Sequence, residues 1–120
     1  MLIADDHAGF RRMVRDVLEA EGLAVVGEAG TGQAALDLVA AAGPGAVLLD
    51  IRLPDIDGFA VCRAIRARWP QVRVVLCSVS PIADYGPCYA ESGAHGFVAK
   101  HECTGPRLAL MLGPAGPASA

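Results

Sequence analysis

The sequence predicts an α/β fold, a doubly wound five-stranded parallel sheet with helices on both faces. Three observations carry that prediction. Short apolar runs alternate with stretches of helical periodicity along most of the chain. The runs are apolar throughout rather than at every second residue, which marks strands buried on both faces, as in parallel sheets. Several runs stop abruptly at a charged or hydroxylic residue, where such a sheet opens its ligand crevice. With 120 residues, 53% of them apolar, the chain can fill one core but not two.

Leu2-Ile3-Ala4 reads as the tail of a first strand, which looks clipped because so little precedes it. Residues 8 to 21 place Phe10, Met13, Val14, Val17 and Leu18 at steps of three and four, opposite Arg11, Arg12, Arg15, Asp16 and Glu19; this is an amphipathic helix that Gly22 stops. Leu23 to Val26 reads as the second strand. Thr31 caps a second helix running to about Ala42, with Leu36 and Val39 inward, and Gly43-Pro44-Gly45 ends it. Ala46 to Leu49 is a third strand closing on Asp50. Gly58 to Trp69 is a third helix with Val61, Cys62, Ile65 and Trp69 on one face, ended by Pro70. Val72 to Cys77 is the fourth strand, and Phe97 to Ala99, before Lys100, the fifth. Between them Ile82, Tyr85 and Tyr89 keep a helical stripe that Gly86-Pro87 interrupts; the helix either kinks there or begins only at Pro87. A short last helix runs from about Pro106 to Leu112, with Leu108, Met111 and Leu112 as its apolar stripe. Residues 113–120 form a Gly-, Pro- and Ala-rich tail expected to be disordered.

This order of elements is that of a flavodoxin-like sheet, in which ligands sit at the carboxyl ends of the strands. Asp5, Asp6, Asp50, Ser78 and Lys100 all fall at or just after a strand end, so five polar residues far apart in sequence converge on one edge. Three crowded carboxylates repel one another unless a divalent cation sits among them. Oxygen donors with open positions suit Mg2+, which shares itself readily with phosphate. Carboxylates, a hydroxyl, a lysine and a metal make a phosphoryl-transfer site in which one carboxylate is the nucleophile.

The motifs A-D-D-H (4–7), L-L-D-I-R-L-P-D-I-D-G (48–58), V-L-C-S-V-S (75–80) and G-A-H-G-F-V-A-K (93–100) resemble those of bacterial two-component response-regulator receiver domains, in order and over roughly residues 1–103. The S-V-S and G-F-V-A-K-H pieces are similar to the subfamily usually fused to a helix-turn-helix output domain. The resemblance implies that Asp50 is the phosphoacceptor. It implies that Asp6 binds Mg2+ directly, Asp5 directly or through water, and that the Arg52 backbone carbonyl supplies another ligand. Ser78 would move to the phosphate, Lys100 would pair with it, and Phe97 would be the switch aromatic. The donor would be a phosphohistidine on a sensor histidine kinase or phosphotransfer protein, with a downstream protein partner. The Arg52 side chain, two residues past Asp50, is expected to modulate how water reaches the phosphoryl group.

Each residue has a plainer reading. Asp5 or Asp6 can cap the first helix, though two in a row favour a metal. Asp50 can form a turn, and Ser78 and Lys100 mean little outside the set. Phe97 belongs to the core in either case. His7 reads as a surface residue rather than a ligand, and Gly58 as the turn into the third helix.

The net charge of −3 leaves no electrostatic footprint for direct nucleic-acid binding. No apolar stretch reaches the roughly 18 residues of a membrane span. No export signal is legible at the N-terminus, which points to the cytoplasm. Cys62, Cys77, Cys88 and Cys103 form no C-x-x-C pair and read as reduced, mostly buried thiols. The expected unit is a receiver domain over residues 1–112, monomeric or weakly dimeric, that acts as a signalling switch rather than a metabolic enzyme. Its self-catalysed chemistry would be phosphoryl transfer and aspartyl-phosphate hydrolysis. A pseudo-receiver that binds partners without phosphate is disfavoured by the presence of Asp50, Ser78 and Lys100, and two other readings stand beside the signalling switch. One is the remnant of a DNA-binding regulator without its output domain. The other is an aspartyl-nucleophile phosphatase, disfavoured because Arg52 stands where that chemistry needs an acid.

Overall fold

A computed structural model describes residues 1–113. In chain order the elements are β1 (Leu2–Ala4), α1 (Ala8–Ala20), β2 (Gly27–Ala29), α2 (Gly32–Ala42), β3 (Ala46–Asp50), α3 (Gly58–Arg68), β4 (Arg73–Ser78), α4 (Cys88–Ser92), β5 (Gly96–Ala99) and α5 (Gly105–Leu112). A 3₁₀ turn, Ile82–Tyr85, precedes α4, and a second, Lys100–Glu102, precedes α5. All neighbours pair in parallel in the order β2-β1-β3-β4-β5. The predicted architecture is therefore present, and β1 is central although it has only three residues. The expected tail falls outside the described residues from position 114 onward.

Period-two side-chain alternation sorts the strands onto two cores. Leu2, Ala4, Val47, Leu49, Val74 and Leu76 face α2 and α3, against Ala35, Val39, Val61 and Ile65. Ile3, Leu48, Val75, Cys77 and Val98 face α1 and α5, against Val14, Leu18, Leu108 and Leu112. Both faces being covered is what makes the strands apolar along their whole length. Among the described residues, no helix is long and apolar enough to cross a membrane.

Local signals end most elements where the sequence places them. The Thr31 hydroxyl accepts the Ala34 N–H at 3.0 Å, and Gly43 closes α2 at φ 57°. Asp57 caps α3 by accepting the Ala60 N–H at 2.9 Å. Trp69 is the residue after α3, half-buried against the core rather than within the helix. Met13 is partly exposed, so the buried part of the α1 stripe is Val14 and Leu18.

The second strand departs from expectation. Leu23–Val26 is not β2; the strand is Gly27–Ala29, and Val26 is 52% exposed. Pairing decides the matter: β1 has three residues to offer, and their partners are Gly27, Glu28 and Ala29. The apolar run before them leads in without regular secondary structure, with the Val26 N–H bonded to the Met1 carbonyl at 2.8 Å. Of the two readings of the Gly86-Pro87 segment, the later start holds. Gly86 has φ 54°, Pro87 occupies the cap position, and α4 follows as a five-residue helix.

His95 substitutes for a strand residue before β5. Its N–H donates to the Val74 carbonyl at 2.8 Å, and its Nδ1 accepts the Val74 N–H at 3.0 Å. Burial, then the charges of Arg66 and Arg73, hold its pKa below the ordinary 6.5. A depressed histidine pKa favours the fold in its neutral form; that contribution is complete above the unfolded value and is lost as pH falls through it. Stability to urea should therefore decline as pH falls below about 6.5, and His95→Gln should flatten that part of the profile; an unchanged slope would count against this role.

Cys62, Cys77 and Cys103 are buried and Cys88 is exposed. Burial raises all three interior thiols, Cys77 well above 9.0 and Cys103 to about 11.

Candidate functional site

The sheet brings the predicted residues to one edge because each sits where a strand ends. Asp5 follows β1, Asp50 closes β3, Ser78 closes β4 and Lys100 follows β5. The strand order reverses between β1 and β3, so Asp5 and Asp50 flank the crevice. Asp5, Asp50 and Ser78 are buried at 0%, 3% and 1% exposure. The Lys100 ammonium lies 2.6 Å from Asp5 Oδ2 and 3.3 Å from Asp50 Oδ2, and 4.5 Å from the centre of the Phe10 ring. Asp50 Oδ1 accepts the Arg52 N–H at 3.2 Å, and Asp5 Oδ1 accepts the His7 N–H at 2.8 Å. A cleft of about 260 Å³ opens above them, lined also by Asp6, Arg52, Ser78 and Val79.

Neither Asp5 nor Asp6 caps α1. The cap position belongs to His7, which makes no side-chain cap bond. Its ring is mostly exposed, as expected of a surface residue, yet Nδ1 sits 2.9 Å from Asp6 Oδ1 and 3.3 Å from Asp5 Oδ1. Asp5, Asp6, His7 and Asp50 each offer an atom within 4.8 Å of the others, so Asp6 and Asp50 are close enough to share one ion.

Two buried carboxylates share one lysine, and the Asp6 carboxylate lies close beside them. Burial is the largest cause raising the Asp50 pKa; the charge of Asp5 adds to it, and the Arg52 N–H and Lys100 work against it. Burial alone would depress the Lys100 ammonium, but its bond to Asp5 and the charges of Asp50 and Asp5 leave it raised. Asp5 Oδ2 is fully enclosed, and its close partner is the Lys100 ammonium at 2.6 Å. Excess negative charge and a mostly carboxylate set of donors within 4.8 Å of one another together fit a hard divalent cation such as Mg2+.

The sequence matches the family model for the response regulator receiver domain over residues 1–110. The chain belongs to that family. The receiver is 32% identical over 100 residues to the chemotaxis protein CheY of Bacillus subtilis, covering 83% of each. It is 39% identical over 102 residues to the DNA-binding transcriptional activator DevR/DosR of Mycobacterium tuberculosis, covering 83% of this chain and 46% of that protein. A solved structure described as the signal receiver domain of NarL from Mycobacterium tuberculosis superposes with a TM-score of 0.81 at 36% identity, covering 94% of this chain and 95% of that one. The receiver spans about half the length of the curated transcriptional regulators it matches, for example 49% of BvgA from Bordetella pertussis.

Two residues of the receiver site were not singled out by the sequence reading. Phe10 lies under the Lys100 ammonium, where its ring face attracts the cation; the sequence shows it only as part of an apolar stripe. The Tyr85 hydroxyl meets the Ser78 hydroxyl, a contact that no periodicity reveals. Phe97 is half-buried, its ring edge-on to Tyr89 with centroids 6.2 Å apart. The Arg52 side chain is exposed at the rim of the cleft.

Proposed function

We propose that residues 1–112 form a receiver that takes a phosphoryl group on Asp50 from a phosphohistidine of a sensor histidine kinase or phosphotransfer protein, and relays it or alters its affinity for a downstream protein. The supporting observation is a buried carboxylate that keeps open access to a cleft and has a lysine ammonium 3.3 Å away. Asp5, Asp6, Asp50 and the Arg52 backbone carbonyl would hold Mg2+, which when bound supplies positive charge against the phosphoryl oxygens. A carboxylate oxygen of Asp50 attacks phosphorus, and the bond to the donor imidazole nitrogen breaks with its electron pair left on that nitrogen. The Arg52 N–H fixes the Asp50 carboxylate in the cleft. Lys100, already drawn to both buried carboxylates, lies where a phosphoryl group would carry negative charge. Ser78 offers a hydroxyl beside it, and Phe97 is placed to repack if that hydroxyl moves.

Incubation with acetyl phosphate and magnesium, read by intact mass, tests the reading. The chain should gain one phosphoryl group, and a chelator should prevent it; no gain with magnesium present overturns the proposal.

The exposed Arg52 guanidinium can cover the phosphoryl group and hinder water. Arg52→Ala should shorten the lifetime of the aspartyl phosphate roughly two- to fivefold, the range of an exposed charge pair. Loss of label followed by mass spectrometry reads this, and an unchanged rate removes the role of Arg52.

A further inference from the structure

The Ser78 hydroxyl is enclosed and already engaged. It accepts the Ser80 N–H at 3.1 Å and shares a hydrogen bond with the Tyr85 hydroxyl. Among the described residues, it makes no hydrogen bond to Asp50. Tyr85 ends the 3₁₀ turn seven residues on. Its ring stands edge-on to Phe59 of α3, with centroids 5.4 Å apart. Phe97, the aromatic residue of β5, has no hydroxyl to offer Ser78. The chain on either side of Tyr85, from Pro81 to Asp84 and from Gly86 to Cys88, is exposed. This stretch is therefore held to the body of the domain through the Tyr85 ring and hydroxyl. Gly86 follows directly at φ 54°, a backbone turn that side chains other than hydrogen resist.

We propose that Tyr85 is a positioning residue of the phosphoryl-transfer site, whose hydroxyl holds Ser78 Oγ in the unphosphorylated chain and releases it when Asp50 is phosphorylated. The inference rests on the reading of Asp50 given above. A phosphoryl group on Asp50 brings three acceptor oxygens into a cleft that Ser78 lines. A hydrogen bond to an anionic oxygen is roughly twice as strong as one between neutral hydroxyls, so the exchange runs toward phosphate. With Ser78 as the donor of the shared bond, its single proton cannot reach a phosphoryl oxygen on Asp50 without leaving Tyr85. Phosphate capture and release of the Ile82–Tyr85 turn are then the same event.

Tyr85→Phe keeps the ring against Phe59 and removes the hydroxyl. Uptake from acetyl phosphate with magnesium should rise about 2- to 10-fold, the factor that one neutral hydrogen bond carries. The rate of loss should stay unchanged, because Tyr85 has already let go in the phosphorylated chain. That split separates positioning from general loosening. In a Ser78→Ala background Tyr85→Phe should have no further effect.

Intact mass followed over time for the wild type, both single variants and the double variant reads all three outcomes. Uptake by Tyr85→Phe no faster than the wild type, or an equal gain with and without Ser78, overturns the proposal and leaves Asp50 untouched. A wild type that takes up nothing refutes the reading of Asp50 instead. Urea unfolding of the same four proteins tests the contact without phosphate. The two positions should be coupled, and strictly additive shifts of the midpoint overturn the proposal.

Discussion

Asp50→Asn should take up no phosphoryl group from acetyl phosphate under conditions that load the wild type, and in metal-free buffer near neutral pH it should resist urea better. The first effect follows from chemistry: an amide is not a nucleophile toward phosphorus, and no second carboxylate in the cleft has the same neighbours. The second follows from electrostatics. Burial and the charge of Asp5 raise the Asp50 pKa above the ordinary 3.8 despite Lys100 and the Arg52 N–H. A carboxyl that binds its proton more tightly in the folded state opposes folding when ionised. That penalty is complete above the folded pKa and fades as pH falls toward the unfolded value. Asparagine has nearly the same shape, still accepts the Arg52 N–H and carries no charge, and Lys100 keeps Asp5 at 2.6 Å. The gain in midpoint should thus be present at pH 7 and vanish near pH 4. Intact mass and urea midpoints decide both halves; phosphoryl uptake by this variant would remove Asp50 as the acceptor.

Gly58→Ala should be among the most damaging single methyl additions in the chain. A Cβ at this position would lie 2.4 Å from the Asp50 carbonyl oxygen and 2.6 Å from Ile51 Cα, both backbone atoms that no rotamer change can move aside. The Gly58 N–H donates to the Ile51 carbonyl at 2.7 Å, so the start of α3 rests directly on the end of β3. Overpacking of a core costs about 1–3 kcal/mol, and a clash with rigid backbone belongs at the upper end. The same displacement would shift Asp50 and Arg52, so phosphoryl uptake should fall along with stability. Gly9→Ala, in α1 with nothing within 4 Å of its Cβ, is the control and should be neutral or slightly stabilising. A Gly58→Ala protein that matches the wild type in both readouts would show that the α3–β3 contact yields easily.

The fold was legible because its main determinants are local. Thr31, Gly43, Gly58 and Pro70 mark element ends by local chemistry that needs no tertiary partner. The acid pocket was legible because strand ends in a parallel sheet share one edge, so Asp5, Asp50, Ser78 and Lys100 had to meet once the strands were found. β2 was displaced to Leu23–Val26 because hydropathy marks the apolar run, whereas register is set by which residues β1 can pair. The contact between Ser78 and Tyr85 was hidden for a related reason. It spans an irregular turn, where spacing along the chain says nothing about direction in space. His7 lay on the surface as expected, but its closeness to Asp5 and Asp6 depends on the turn between β1 and α1.

The distribution of thiols has a practical consequence. Only Cys88 is open to solvent, and the burial that encloses the other three also keeps them protonated at neutral pH. A maleimide dye added to the native protein should therefore attach at the first residue of α4, beside the Gly86-Pro87 turn, so the unmutated chain carries its own attachment point for a fluorescent reporter.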